Sequence, residues 1–190
     1  MYRFKQAETE VEFEQIFRLN HAVFASELHQ YTPAASPRLI DKFHDKNLYW
    51  IALAGDEVVG MVSAHNRPPF SVAARLADAS VLQTYGRVME IRLLAIAPEH
   101  RKGMVLAGLF FALYEHARHY DSLVISGRVE ESAMYRRLGF RDLGPPVRSG
   151  EAEFAPMVVQ IADLAWCHPR RGQRLEERAK LTDNPDRPSE

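Results

Sequence analysis

Apolar positions near the start of the chain recur with the period of a helix, then give way to runs with the character of strands. Between residues 9 and 28, Phe13, Ile16, Phe17, Val23, Phe24 and Leu28 fall mostly on one helical face, with Asn20 inside the same stripe. Thr9 and Glu12 have capping-box spacing, in which each side chain satisfies a backbone N–H that the first turn leaves unpaired. The pattern predicts one amphipathic helix over 9–28. Residues 30–47 contain Pro33 and Pro37 and read as a loop, with a short helical turn at 38–44. Residues 48–54 and 57–64 are apolar runs joined by Gly55-Asp56, which predicts a β-hairpin. Residues 70–86 have no dominant period; 71–76 suits a short helix and the rest a loop.

The second half is more regular. Residues 88–96 are apolar enough for a central strand, and 98–103 form a turn. Residues 105–119 predict a long helix with Leu106, Leu109, Phe110, Leu113 and Ala117 on one side. Residues 123–126 read as a buried strand, 130–138 as a short helix closed by Gly139, and 140–143 and 157–161 as two further strands. This β-α-β-α-β-β order implies an α/β (α+β) fold, a mixed central sheet flanked by helices. Beyond Trp166 the chain is charged and Pro-containing. The expected division is a domain over 1–165 and a disordered tail over 166–190.

Composition narrows the function classes. The 190 residues carry 24 Lys and Arg against 25 Asp and Glu, a net charge of −1, which argues against a dedicated nucleic-acid binder and against broad attraction to anionic membranes. No apolar run approaches the ~18 residues of a membrane span, and the N-terminus lacks the apolar core of a signal peptide. The single cysteine, Cys167, forms no internal disulfide, so a reduced, cytoplasmic setting is expected. With 10 glycines, the chain has no G-x-G-x-x-G after a strand and no G-K-[ST] phosphate loop.

A few residues carry candidate chemistry. Glu90 lies on an apolar strand, where a carboxylate needs a partner or a function. It is a candidate general base with a raised pKa, or else an ion-pair partner of Arg92. Tyr135 carries a hydroxyl that is a donor at neutral pH. Arg101 and Lys102 stand at a helix start, an unfavourable place for cations unless an anion binds there. His116 and His119 are three apart on a helix, but no third ligand has matching spacing, so no metal is expected. Ser126 and His65 lack the G-x-S-x-G setting of a hydrolase.

The block Glu90-Ile91-Arg92-Leu93-Leu94-Ala95-Ile96-Ala97-Pro98-Glu99-His100-Arg101 resembles the central strand and pyrophosphate turn of the GNAT superfamily of acyltransferases. Tyr135-Arg136-Arg137-Leu138-Gly139-Phe140 resembles that superfamily's Y-x-x-x-G-F ending. The resemblance implies transfer of an acyl group, acetyl first among them, from a coenzyme A thioester to a small-molecule amine by direct attack. It implies Glu90 and Tyr135 as catalytic residues, with Tyr135 protonating the departing sulfur. It implies Leu94, Ala95, Ile96, Arg101, Lys102, Gly103, Met104, Val105 and Leu106 as the cofactor-binding stretch. Backbone N–H groups near Leu94 to Ile96 would stabilise the oxyanion. The loop departs from the usual R/Q-x-x-G-x-G/A: Met104 and Leu106 fill both glycine positions, where glycine lets phosphate approach the backbone.

Ile16 to Leu28, followed by Asp41 and Phe43, resembles the R-x-x-V-F-x-x-E-L…D-x-F/D opening of acyl-homoserine-lactone synthases and N-acyl amino acid synthases. Arg18 is off the usual spacing, and Asn20 holds the matching slot. This second resemblance implies a long-chain acyl carrier protein as the alternative donor and partner, which would make the loss of loop glycines tolerable. Phe24, Glu27 and Arg92 are then expected to bind substrate, the acceptor lying between the first helix, its following loop and residues 63–86. A non-catalytic GNAT-like ligand-binding domain is the alternative from another class. The acceptor's identity, and whether the protein is a monomer or a homodimer, are left open by the sequence.

Overall fold

The computed structural model describes residues 1–30, 36–101, 104–150 and 152–164. The capping box starts helix α1 (Glu10–Asn20): the Glu12 N–H donates to Thr9 Oγ1 at 3.2 Å and the Thr9 N–H to Glu12 Oε2 at 3.1 Å. The predicted helix does not run unbroken to Leu28. From His21 to Glu27 the backbone widens into a π-helix, a winding frequent at functional sites, and Val23, Phe24 and Ala25 stay buried on it.

Eight strands form one sheet among the described residues: β1 (Tyr2–Gln6), β2 (Leu48–Ala54), β3 (Glu57–His65), β4 (Val88–Ile96), β5 (Ser122–Arg128), β6 (Arg141–Asp142), β7 (Val147–Ser149) and β8 (Ala152–Gln160). The order is β1-β2-β3-β4-β5-β8-β6, with β7 beside β8. β4 and β5 pair in parallel and the other neighbours are antiparallel. The expected hairpin is β2–β3, turned at Gly55, whose φ of 64° suits a residue without a Cβ. The strand over 88–96 is central, as its unbroken apolar run implies.

Helix α2 (Val105–Ala117) covers one face of the sheet, and the short helix α3 (Ser132–Arg137) follows β5. On the α2 face, Leu109, Phe110 and Leu113 pack against Ala52, Val62, Met89, Ile91 and Leu123. On the opposite face, Ile16, Phe17, Val23 and Phe24 pack against Tyr49, Ile51, Met61, Leu93 and Ala95. Further along that second face, Val72 and Leu82 cover Val88, Val124 and Val158. They come from two 3₁₀ turns, Val72–Arg75 and Ala79–Tyr85, within the stretch that showed no period. The expected turn at 38–44 is instead a 3₁₀ turn at His44–Lys46.

β4 carries a bulge that positions the site. Val62 pairs with Leu94 and Ala64 with Ile91, so Arg92 and Leu93 together stand opposite Ser63. The displaced Leu93 N–H donates to Ser63 Oγ at 3.2 Å. β1 and β7, and the first five residues of β8, were not anticipated. The expected tail over 166–190, Cys167 included, lies outside the described residues. No helix among the described residues is long and apolar enough to cross a membrane.

β1 is tied to α2 through a close approach at Gly108, where an added Cβ would overlap the Phe4 ring. Gly108→Ala is expected to force that ring aside and lower stability by ~1–3 kcal/mol. Urea denaturation checks this; an unchanged midpoint would show that Phe4 moves at no cost.

Candidate active site

β4 and β5 pair over Val88–Ile91 and Ser122–Ile125. Past those residues they line opposite walls of a cleft of about 380 Å³. Arg92, Leu93, Leu94 and Ile96 of β4 form one wall, and Ser126, Gly127 and Arg128 of β5 the other. Met134 and Tyr135 of α3 and Leu106 of α2 close one side; Val23, Phe24, Glu27 and Leu28 close another. Beyond Ile91, the β4 edge that faces β5 is unpaired and offers alternate backbone N–H and C=O groups to an extended, amide-bearing ligand.

Eight of the expected site residues meet in this cleft: Phe24, Glu27, Arg92, Leu94, Ile96, Arg101, Leu106 and Tyr135. Ala95 and Val105 are buried in the cores on opposite faces of the sheet, and Met104 is 43% exposed outside the lining. Lys102 and Gly103 lie outside the described residues. A wider groove of about 1130 Å³ runs along the outer side of α1 and is lined by none of the expected site residues.

Glu90, the expected general base, lies in a buried polar network outside the cleft lining. It is wholly buried, and its carboxylate accepts from Ser71 N–H (2.8 Å), Ser71 Oγ (2.6 Å) and Val72 N–H (2.7 Å), with His65 Nε2 at 3.1 Å. Burial pushes its pKa up, but the hydrogen bonds from His65, Ser71 and Val72 outweigh burial and hold it below the ordinary carboxylate value. A general base near neutral pH needs the reverse shift. Glu90 is not among the cleft-lining residues; its carboxylate anchors the 3₁₀ turn at Val72–Arg75 onto β4.

The same anchor reaches Arg92, which donates to Ser71 Oγ and, in bidentate fashion, to Asp41 (Nε at 3.0 Å, Nη2 at 2.7 Å). Asn47 Nδ2 adds a bond to Asp41 at 2.7 Å, and the Phe43 ring lies 4.6 Å from the Arg92 guanidinium. The expected pairing of Glu90 with Arg92 is therefore indirect, through Ser71. Asp41 and Phe43, which carried the second resemblance, hold the wall of the cleft.

Tyr135 is half-buried, edge-on to Phe140 at 5.9 Å and packed on Gly127, where a Cβ would come within 2.7 Å of its ring. Burial, with Glu131 adding to it, pushes its hydroxyl up to about 12. Gly139, at φ 102°, turns the chain back so that the Phe140 N–H donates to the Tyr135 carbonyl. Ser126 lies in the cleft wall, where its buried Oγ has no hydrogen-bond partner among the described residues. A lone serine on a buried strand gives no sequence signal for such a place.

Arg101, the expected phosphate ligand, donates from Nε to the Ile96 carbonyl at 2.9 Å. Its Nη1 and Nη2 donate to the two Glu27 oxygens at 2.6 and 2.5 Å. No group of three or more His, Cys, Asp or Glu among the described residues is arranged to hold a metal ion.

Residues 15–163 match the family model described as N-acyl amino acid synthase FeeM. No curated protein matches the chain in sequence. Three solved structures show the same fold. FeeM, an N-acyl amino acid synthase from uncultured soil microbes, is 15% identical over 91% of this chain and 98% of its own, with a TM-score of 0.71. The CoA-dependent acyl-homoserine lactone synthase BjaI, solved with SAM and isopentyl-CoA, is 18% identical over 95% and 90%, with a TM-score of 0.70. The AHL synthase LasI is 14% identical over 85% and 89%, with a TM-score of 0.66.

Proposed function

The chain belongs to the N-acyl amino acid synthase FeeM family and is an N-acyltransferase of GNAT-like fold, and from that premise we propose that it joins an acyl group, carried as a pantetheine thioester, to the α-amine of an amino acid. The observation that carries this reading is the parting of β4 and β5, which leaves an unpaired strand edge facing Tyr135 across an apolar cleft. The arm of the donor lies along that edge as an added strand. Val23, Phe24, Leu28, Leu94 and Phe154 give the cleft an apolar lining, which favours a chain longer than the acetyl group expected first.

In the reaction, the free amine attacks the thioester carbonyl, and β4 backbone N–H groups stabilise the oxyanion. The C–S bond breaks as the C–N bond becomes an amide. Tyr135 gives its proton to the departing sulfur and takes one from the attacking nitrogen, so charge balances and the phenol is regenerated. A hydroxyl at about 12 stays protonated throughout the working range, as this relay requires. Glu90 has no proton-transfer role in this scheme. The single cysteine, which forms no internal disulfide, supports a cytoplasmic setting.

The test is product detection by mass spectrometry. The protein is incubated with acetyl and octanoyl thioesters of coenzyme A and of acyl carrier protein, against a mixture of the common amino acids. An N-octanoyl amino acid is the expected product. Absence of any N-acyl amino acid across this panel would sink the reading, and acetylation alone would remove the longer chain from it.

A further inference from the structure

Arg101, one of the two cations expected to meet the donor's phosphate, is occupied by a carboxylate of the same chain. Arg101 is held at its inner edge by the Ile96 carbonyl, so its outer fork, Nη1 and Nη2, has one direction to offer. Glu27, the last residue of the π-helix, fills that fork with both oxygens. The pair joins residues 74 apart in sequence, and both line the cleft. The two side chains are each 39% exposed, and such pairs contribute little to stability and open readily. Stability is therefore a poor reason for the pair.

A ligand's phosphate that takes the Arg101 fork displaces Glu27, yet leaves its carboxylate close by. The cost of that repulsion grows with the charge on the ligand. A phosphopantetheine arm on a carrier protein bears a single phosphodiester charge. Coenzyme A bears a pyrophosphate and a further phosphate monoester on its ribose. Specificity of this kind comes from a repulsive element against the wrong partner. Resting on the reading of this cleft as a thioester site, we propose that Glu27 is a donor-selecting residue: it competes with phosphate for Arg101 and sets the cleft against coenzyme A, in favour of a carrier-borne phosphopantetheine. This places Glu27 on the donor side, away from the acceptor role expected of it.

Free coenzyme A is the probe, titrated by calorimetry into the full chain at one fixed ionic strength, because exposed charges are salt-screened. Glu27→Gln is expected to tighten coenzyme A about three- to fivefold, and adding Arg101→Gln is expected to abolish the gain. Glu131→Gln removes another acid from the cleft lining and is expected to give less than about a twofold gain, which separates competition for Arg101 from a general loss of negative charge. The proposal is overturned if Glu27→Gln leaves affinity unchanged, if coenzyme A binds neither protein, if the gain survives loss of Arg101, or if Glu131→Gln matches it. The titration needs no turnover. A shift in affinity without any N-acyl product would support the competition and count against the acyl-transfer reading alone.

Discussion

Glu90→Ala should lose ~3–5 kcal/mol of folding stability, the scale set by breaking a buried charged network from one side. Every donor that meets this carboxylate is fixed: two backbone N–H groups at Ser71 and Val72, the Ser71 hydroxyl, and His65. Alanine leaves the first three without an acceptor inside the fold. In a domain of this size the loss corresponds to a Tm decrease on the order of 10 °C. Glu90→Gln keeps the shape but turns an amide NH₂ towards donors, so it too should lower Tm. A catalytic base would behave otherwise, with Tm held and kcat lost. Thermal denaturation beside single-turnover kinetics on Glu90→Gln decides; an unchanged Tm with kcat abolished would restore Glu90 to the chemistry.

The same carboxylate gives a pH dependence of defined sign. Its pKa in the folded protein lies below the ordinary value of 4.5. Its contribution is therefore complete above about pH 4.5 and is lost as pH falls through the folded value. The difference in stability between wild type and Glu90→Ala should narrow on acidification below that point.

Tyr135→Phe should lower kcat by roughly 10²–10⁴-fold, the range for a positioned proton donor, while Tm holds. The ring's packing on Gly127 and Phe140 survives the change, and the hydroxyl alone is lost. Burial pushes that hydroxyl to about 12, so the wild-type pH–rate profile should show no descending arm from Tyr135 below about pH 11. Pre-steady-state measurement of thiol release reads the chemical step directly. A loss under about threefold, or a neutral kinetic pKa that vanishes in Tyr135→Phe, would remove Tyr135 from the relay.

Much of the fold was legible because local chemistry decides it. Thr9 and Glu12 cap each other within four residues, and the residues of β4 and α2 repeat at the periods their packing demands. The π-helix was not legible, since widening the turn leaves the apolar stripe intact through Val23 and Phe24. β1 was missed because its alternation is too short to register, with only Tyr2 and Phe4 apolar among its five residues. In the site, motif position brings eight of the expected residues to one cleft, but says nothing of their hydrogen-bond and ion-pair partners. Glu90 takes its donors from residues 18 and 19 positions away, in a segment without periodicity. Arg101 takes its partner from 74 positions earlier in the chain. Pairings at that distance are decided by packing two sheet faces together, which no local window contains.

The bulge in β4 acts as a change of parity. Before it, Glu90 shares a face with Val88; after it, Leu93 and Ala95 take that face, while Leu94 and Ile96 join Met89 and Ile91 on the other. One strand thereby holds the buried Glu90 network and the cleft wall in separate registers. A substitution at Glu90 alters the polar anchor below the bulge, and one at Leu94 or Ile96 alters the cleft wall above it. Deleting Arg92 or Leu93 would remove the bulge and restore plain alternation against β3, leaving Leu94 and Ile96 on their present face but taking one residue out of the cleft wall.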